Sequence, residues 1–202
     1  MIVIAQQDQQ LQQIVNKAQL VTPDGAGLLW ASKVLGSKIS KRVSGVDLVA
    51  QLCKGSSERG YSCYFLGAAP GVAEDAANNL KERYPNMHVA GVHHGYFTAE
   101  EEPQIVQTIL DAAPQVLFVA FGIPKQEKFI AAHLGKLNGC VAIGIGGSFD
   151  VYAGLVRRAP KWMQKAGIEW LFRLIQDPKK ISKVRALPRF ALMTLRYRFF
   201  GK

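Results

Sequence analysis

The stretch from Cys63 to Leu80, CYFLGAAPGVAEDAANNL, decides the fold. It opens with a short apolar run, turns at Gly67 and Gly71, and then carries apolar residues at the spacing of one helical face. These residues are Val72, Ala76, Ala77 and Leu80. A continuously apolar strand that leads through a glycine loop into a helix is typical of a parallel sheet covered on both faces. The stretch therefore predicts one unit of an α/β domain.

The same alternation extends to both sides of this stretch. Further apolar runs of strand length occur at Leu20–Val21, Met87 to Val92, Gln115 to Phe121 and Cys140 to Ile145. Helical spacing lies between them, as at Val46, Val49, Ala50 and Cys53, and the run 98–101 has the form of a capping box. We therefore predict a Rossmann-like parallel sheet with helices on both faces in a core at residues 1–155, followed by a helical, basic appendage at residues 156–202.

The composition favours a single globular domain. The chain has 202 residues, of which 49% are hydrophobic and 20% charged. Its apolar runs are far shorter than the roughly 20 residues that span a bilayer, and no basic region precedes an apolar core at the N-terminus, so neither a spanning helix nor a signal peptide is predicted. The three cysteines, Cys53, Cys63 and Cys140, show no paired spacing and fit a reducing cytoplasm.

The positive charge is concentrated at the C-terminal end. The net charge is +10, and residues 155–202 hold thirteen Lys and Arg against two acids, Glu169 and Asp177. Pro160 is predicted to open a helix that carries Trp162, Met163, Trp170, Leu171 and Leu174. The appendage has three interpretations: it lies on an anionic membrane surface, it binds nucleic acid, or it packs its apolar side on the sheet and leaves a basic face in solvent.

Glycines follow the predicted strands. In open parallel sheets, ligands bind outside the carboxyl ends of the strands, and glycine there lets backbone N–H groups approach a phosphate closely. The glycines concerned include Gly25, Gly67, Gly95, Gly122, Gly146 and Gly147. Neither the GxGxxG motif nor the P-loop motif occurs. For any one of these loops, a tight turn is the simpler interpretation.

Polar side chains at these loops are the candidate functional groups. Asp24 is either a cap for its turn or helix, or a group that takes a proton. Asp150 is either a cap or a ribose ligand, and Glu127 is predicted to stabilise the start of a helix. His93 and His94 have no Cys, His or carboxylate at a ligand spacing, so no metal site is predicted there.

Six motifs occur in order along the chain. They are TPDGAGLLWASKVLGSKISKRVSGVDL at residues 22–48, LGAAPGVAEDAANNL at 66–80, HHGYF at 93–97, VAFGIPKQEKFI at 119–130, GIGGSFDVYAGLVRRAP at 144–160 and GIEWLFRLIQDP at 167–178. Together they closely resemble the WecG/TagA/CpsF family of bacterial glycosyltransferases. The resemblance covers nearly the whole chain.

The resemblance implies an activity and a location. Members of the family transfer an N-acetylmannosamine-type sugar from a UDP donor to N-acetylglucosamine on a polyprenyl diphosphate, in the synthesis of teichoic acid or related surface polysaccharides. It implies an inverting enzyme at the cytoplasmic face of the membrane, peripherally attached to the anionic surface through its C-terminal appendage. Nucleic acid is not an expected partner, and the oligomeric state is left open.

The resemblance also implies roles for particular residues. Asp24 in the PDG motif matches the proposed base, and Arg42 and Gln126 match residues that line the sugar pocket. Asp150 is expected to face the nucleotide and Arg173 to reach the phosphates. Further substrate-binding residues are expected at the strand exits: Gly67, Tyr96, Gly122, Gly146 and Gly147.

The diphosphate must be bound by a metal ion or by protein donors. The chain has no Asp-x-Asp motif of the kind that metal-dependent glycosyltransferases use, so we expect backbone amides and basic side chains to bind it, without a metal or other cofactor. Where relatives often have arginine, this chain has Lys180 and Lys183, which keep the charge but lose the bidentate geometry of a guanidinium group.

The chain departs from the family pattern at its N-terminus. Relatives have a further strand-helix-strand segment that ends in a Thr-x-Asn motif, and this sequence starts at Met1, beyond where that motif would lie. A start codon assigned too far downstream, a fragment and a degenerate relative are the three explanations. The missing motif makes an inactive nucleotide-sugar-binding relative the alternative to transfer. A basic-tailed RNA-binding protein is a further alternative, which rests on the charge of the C-terminal segment and ranks low because it does not account for the ordered motifs at the strand exits.

Overall fold

The structure, a computed structural model, describes residues 1–37, 39, 41–178 and 186–201. The chain divides into two compact units. One, the sheet unit, is Gly45–Val156, and the other, the helical unit, combines Met1–Ser44 with Arg157–Lys202. The division into a core at residues 1–155 and an appendage at residues 156–202 stays a prediction, and in the structure the first 44 residues group with the C-terminal segment.

The regular elements are numbered in chain order. The strands are β1 (Ser62–Gly67), β2 (His88–His93), β3 (Val116–Ala120) and β4 (Val141–Gly144). The helices are α1 (Ile2–Ala5), α2 (Gln9–Lys17), α3 (Ala26–Leu35), α4 (Gly45–Arg59), α5 (Val72–Arg83), α6 (Glu102–Ala112), α7 (Lys125–His133), α8 (Ser148–Tyr152), α9 (Lys161–Lys165), α10 (Glu169–Gln176) and α11 (Ala186–Phe200), with a 3-10 turn at Leu134–Lys136.

The sheet unit is built on four parallel strands in the order β2-β1-β3-β4. The two central strands, β1 and β3, are buried along their whole length, which is why their sequences are continuously apolar. Across the carboxyl end of the sheet, Leu66 pairs with His93 and Val119, and Val119 pairs with Gly144. The loops that leave the four strands therefore start at the same edge of the sheet.

Helices cover both faces of this sheet. On one face, Phe65 and Phe118 pack with residues of α4, α5 and α8, and the Phe65 ring lies 5.6 Å from that of Phe149. On the other face, Leu66 and Val119 pack with α6 and α7. Alternate residues of β1 and β3 thus enter different cores, as side chains of a strand must. The predicted α/β fold of Rossmann-like type is confirmed.

Two local predictions have different outcomes. The capping box before α6 is confirmed, because the Thr98 N–H donates to Glu101 Oε2 at 2.7 Å and the Glu101 N–H donates to Thr98 Oγ1 at 3.4 Å. The strand predicted at Leu20–Val21 is wrong: the segment between α2 and α3 has no regular structure, and Leu20 is 80% exposed. These residues belong to the helical unit, in whose described part no strand offers a hydrogen-bonding partner.

The helical unit is held by contacts of α3 with the C-terminal segment. A side chain at Gly27 would come within 3.5 Å of the Phe190 ring on α11. The helix predicted to run from Pro160 through Leu174 is divided into α9 and α10, because Gly167 adopts a φ of 74° that ends the first helix. Among the described residues, no helix combines the length and apolar character that crossing a bilayer requires.

Candidate active site

Asp24 lies immediately before α3. The N-cap of this helix is Gly25, whose φ of 118° favours glycine, so Asp24 is not the N-cap residue. The Val43 N–H donates to the Pro23 carbonyl at 2.9 Å and brings the segment around Arg42 beside the PDG turn. Asp24 is half exposed, and one of its carboxylate oxygens accepts a hydrogen bond from Arg42.

Three of the predicted site residues meet in one ionic cluster within the helical unit. Arg42 Nε lies 3.1 Å from Asp24 Oδ1, and Arg42 Nη2 lies 2.8 Å from Glu169 Oε2. Arg173 Nη2 in turn donates to Glu169 Oε1 at 2.9 Å. The order of contacts is Asp24, Arg42, Glu169, Arg173, and we call these four side chains the ionic cluster.

Glu169 is the member that the sequence did not reveal. It is the first residue of α10, and only 3% of it is exposed. One signal was present, because Glu169 is one of two acids within a strongly basic segment. Burying a carboxylate is costly unless it is paired, and its partners lie 127 and four residues away in sequence.

The charges of the ionic cluster stabilise one another. Burial raises the pKa of Glu169, but the hydrogen bond from Arg42 and the charge of Arg173 outweigh it and lower that pKa overall. Burial opposes the charge of Arg42 as well, yet the hydrogen bond with Glu169 and the charge of Asp24 raise the pKa of Arg42. Glu169 is thus buried and ionised and Arg42 is partly buried, with its side chain 22% exposed, while the side chains of Asp24 and Arg173 are 50% and 38% exposed.

A second group of predicted residues lies at the carboxyl edge of the sheet unit. The Ala68 N–H donates to the Ala120 carbonyl at 3.0 Å, and the Gly95 N–H donates to the Ala68 carbonyl at 2.8 Å. A Cβ at Gly67 would lie 2.7 Å from the Ala120 backbone, so only glycine fits there. These contacts join the loops after β1 and β2 to the end of β3. Tyr96, in the loop after β2, is largely exposed.

Gln126 ties the loops after β3 and β4 together. Its Oε1 accepts from the Gly122 N–H at 3.2 Å and from the Gly146 N–H at 3.1 Å, and its Nε2 donates to Glu127 Oε1 at 2.8 Å. Only 3% of the residue is exposed. A Cβ at Gly144 would lie 2.5 Å from Nε2, so this glycine makes room for the amide. In this structure the Gln126 amide oxygen is therefore used in hydrogen bonds with the protein's own backbone.

The loop after β4 leads into the short helix α8. Gly147 is the N-cap of this helix and Asp150 lies in its first turn, so Asp150 is not the N-cap residue. The Leu155 and Val156 N–H groups both donate to the Asp150 carbonyl at 3.0 Å, which fixes the backbone there. The expected contact of its side chain with a nucleotide stays a prediction.

The remaining candidates from the sequence are the histidines after β2 and the basic residues of the C-terminal segment. The His93 ring is engaged through Nδ1, which lies 2.8 Å from the His94 carbonyl. Over the described ranges, no three His, Cys, Asp or Glu side chains are grouped so that they could hold a metal ion. Lys180 and Lys183, and the appendage residue Arg185, lie outside the described residues.

Glu127 leads to a prediction about pH. Its Oε2 is buried without a hydrogen-bond partner among the described residues, and burial raises its pKa against the opposing hydrogen bond from Gln126. A carboxyl with a higher pKa in the folded than in the unfolded state binds its proton more tightly when folded, so stability falls as pH rises through that interval.

We expect Glu127→Gln to remove this fall. The midpoint of thermal unfolding of the wild type minus that of the variant should decrease as pH rises from about 4 to about 8. Glu82→Gln, which changes an exposed glutamate on α5, is the matched control and should give a flat difference. If the difference in unfolding midpoint between the wild type and Glu127→Gln were also independent of pH, the raised pKa of the buried Glu127 carboxyl would be contradicted.

Comparison with known proteins agrees with these observations. The model of the glycosyl transferase WecG/TagA/CpsF family matches residues 1–202. The chain is 32% identical over 183 residues, 91% of its length and 71% of the relative's, to a protein of Bacillus subtilis strain 168 named N-acetylglucosaminyldiphosphoundecaprenol N-acetyl-beta-D-mannosaminyltransferase. It is 35% identical over 178 residues, 88% of its length and 69% of the relative's, to a protein of the same name from Staphylococcus aureus strain MW2.

A third relative with this name, from Bacillus spizizenii, is 30% identical over 193 residues, which cover 96% of the chain and 74% of the relative. These matches confirm the resemblance carried by the six motifs. The chain is a glycosyltransferase and belongs to the WecG/TagA/CpsF family.

Proposed function

We propose that this protein transfers an N-acetylmannosamine-type sugar from a UDP donor to N-acetylglucosamine on a polyprenyl diphosphate, with inversion, in cell-surface polysaccharide or teichoic acid synthesis. The names of relatives at 30 to 35% identity support the sugar and the acceptor. The observation that carries the proposal is the half-exposed Asp24 carboxylate in its PDG turn, held by Arg42 Nε at 3.1 Å.

Asp24 is the general base in this proposal. A sugar hydroxyl is a weak nucleophile and needs a group that takes its proton as it attacks. The acceptor oxygen forms a bond to the anomeric carbon, its proton passes to the Asp24 carboxylate, and the bond from the anomeric carbon to the donor phosphate oxygen breaks. The electron pair of that bond leaves with UDP. Arg42 orients the base through its Nε–H.

The departing diphosphate needs positive partners. Arg173 is anchored to Glu169 through one Nη2 hydrogen bond and remains 38% exposed, which suits a guanidinium group that also contacts phosphate. In the sheet unit, backbone N–H groups near Gly67, Gly122, Gly146 and Gly147 are the proposed donors to the nucleotide diphosphate. Interactions that strengthen as charge builds on the leaving group accelerate transfer.

The remaining residues have supporting roles. We assign to Gln126 the positioning of the Gly122 and Gly146 loops, because its amide oxygen already accepts from both backbones. The exposed ring of Tyr96 and the carboxylate of Asp150 are proposed to contact the nucleotide. Arg42, in the helical unit, and Gln126, in the sheet unit, are each proposed to contact a sugar.

The last helix supports a peripheral location on an anionic membrane. α11 exposes large apolar side chains next to arginines: Leu192, Leu195, Phe199 and Phe200 with Arg196 and Arg198. Apolar side chains can enter the headgroup region while arginines contact anionic lipid. Such a location would bring the enzyme to an acceptor whose polyprenyl chain lies in the membrane.

A transfer assay tests the proposed function. We expect the purified protein to convert N-acetylglucosaminyl diphosphate lipid in anionic vesicles to a disaccharide lipid with UDP-N-acetylmannosamine, and not with UDP-N-acetylglucosamine. Mass spectrometry of the lipid detects the product, and the anomeric coupling measured by NMR shows whether the configuration is inverted. Binding of UDP-sugar without transfer to any acceptor would instead identify an inactive nucleotide-sugar-binding relative.

A further inference from the structure

The buried carboxylate of Glu169 joins two arginines that the proposed mechanism uses for different purposes. Oε2 accepts from Arg42, which holds the base, and Oε1 accepts from Arg173, which is proposed to reach the phosphates. We propose that Glu169 is a positioning residue for transfer, which sets the orientation of both guanidinium groups. This inference rests on the proposed function.

The geometry at Arg42 explains why a carboxylate at this position matters. Nε and Nη2 lie along one edge of a guanidinium group, and here that edge meets Asp24 through Nε and Glu169 through Nη2. Two acceptors on one edge fix both the position and the plane of the group. Neither of these two hydrogen bonds uses Nη1.

The burial of Glu169 makes this arrangement rigid. Hydrogen bonds between ionised partners are stronger than neutral ones, and both contacts, at 2.8 and 2.9 Å, have the length expected of them. Only 3% of Glu169 is exposed, so water does not compete well for its oxygens. An exposed pair such as Lys54 with Glu58, at 3.8 Å, offers no comparable constraint.

The structure also offers a simpler explanation of Glu169. An acidic residue at the start of a helix is favoured by the helix dipole, and its pair with Arg173 is an ordinary contact one turn apart. That explanation accounts for Arg173 but not for Arg42, which reaches Glu169 from 127 residues away in sequence. The two explanations differ in whether loss of the carboxylate affects Arg42 and the chemical step.

The variant Glu169→Gln distinguishes the two explanations of Glu169. Glutamine keeps the size but has one acceptor oxygen, and its NH₂ group would face a guanidinium group. We expect kcat to fall on the order of 100-fold, since small misplacements of catalytic groups have effects of that size. Glu58→Gln, the same change in the exposed pair, should leave kcat unaltered. Unchanged kcat in Glu169→Gln would overturn the inference.

A spectroscopic readout makes the test independent of activity. The Nε–H resonance of Arg42 should be protected from exchange in the wild type by its contact with Asp24, and should lose that protection in Glu169→Gln. If no donor supports transfer by the wild type, the proposed function fails, whereas lost protection would still support positioning of Arg42 by Glu169. Unaltered protection would contradict it.

A conservative variant covers the case in which Glu169→Gln does not fold. Glu169→Asp keeps the buried charge but is one methylene shorter, so it cannot reach both arginines as Glu169 does. We expect it to fold, with reduced kcat and reduced protection of the Arg42 resonance. If Glu169→Asp had the wild-type kcat and the wild-type protection of the Arg42 resonance, only the charge would be needed, and the role of Glu169 in positioning the two arginines would be refuted.

Discussion

Replacing Asp24 by Asn is expected to lower kcat on the order of 10³-fold while leaving UDP-sugar binding intact. A general base typically contributes 10²- to 10⁴-fold, and the amide of Asn takes up almost no protons. Asn retains an oxygen that can accept from Arg42 Nε, so the turn and the guanidinium group should stay in place. Single-turnover kinetics with saturating donor, together with calorimetric titration of the donor, measure the two quantities.

A matched change tests whether the loss is specific to Asp24. Asp111 lies on α6 and accepts a side-chain hydrogen bond from Gln107 at 2.8 Å, so Asp111→Asn makes the same chemical substitution in a similar contact. This variant should transfer sugar at the wild-type rate. Near-normal turnover by Asp24→Asn would refute the assignment of the base. Loss of donor binding along with turnover would instead assign Asp24 to substrate binding through Arg42.

Replacing Gly67 by Ala is expected to lower the free energy of unfolding by more than about 4 kcal/mol, which is an exceptional loss for one methyl group. Gly67 has a φ of 124°, where L-residues are strained. Its Cβ would lie 2.7 Å from the carbonyl carbon and oxygen of Ala120, at the end of the neighbouring central strand. Because backbone cannot move aside as a side chain can, β1 and β3 must separate at their carboxyl ends.

Gly60→Ala is the control for this prediction. Gly60 also has a positive φ, 69°, but a Cβ there would have no heavy atom within 4 Å. Gly60→Ala should lower the free energy of unfolding only by the backbone strain of the positive φ, roughly 1 to 2 kcal/mol. Urea unfolding followed by circular dichroism compares the two variants, and hydrogen exchange at β1 and β3 locates the loss. Equal costs for the two variants would show that the approach of Gly67 to Ala120 is unimportant.

The sheet unit was largely predictable from sequence because its signals are local. The central strands β1 and β3 are buried on both faces, so their sequences are continuously apolar and need no partner to be recognised. The capping box at Thr98 and Glu101 is likewise complete within four residues. The strand predicted at Leu20–Val21 was wrong because its formation depends on a non-local partner: two apolar residues suit a strand, but a strand also needs a neighbouring strand with which to pair.

The candidate site was predictable only in part. Asp24, Arg42 and Arg173 were identified through motifs, and motifs do not say which side chains meet. Gln126 was expected to hold a sugar, yet its amide oxygen accepts from the Gly122 and Gly146 backbones, a role that depends on how two loops meet in space. Nothing local distinguishes such a glutamine from one that faces solvent.

The sequence by itself determined the α/β fold, the glycine-rich strand exits and the family, because periodicity and ordered motifs are properties of the chain. Only the tertiary structure decided that Arg42 lies between Asp24 and Glu169, 18 and 127 residues away. The reason is physical: a buried charge is stable only beside its partners, and those partners become neighbours through folding rather than through sequence.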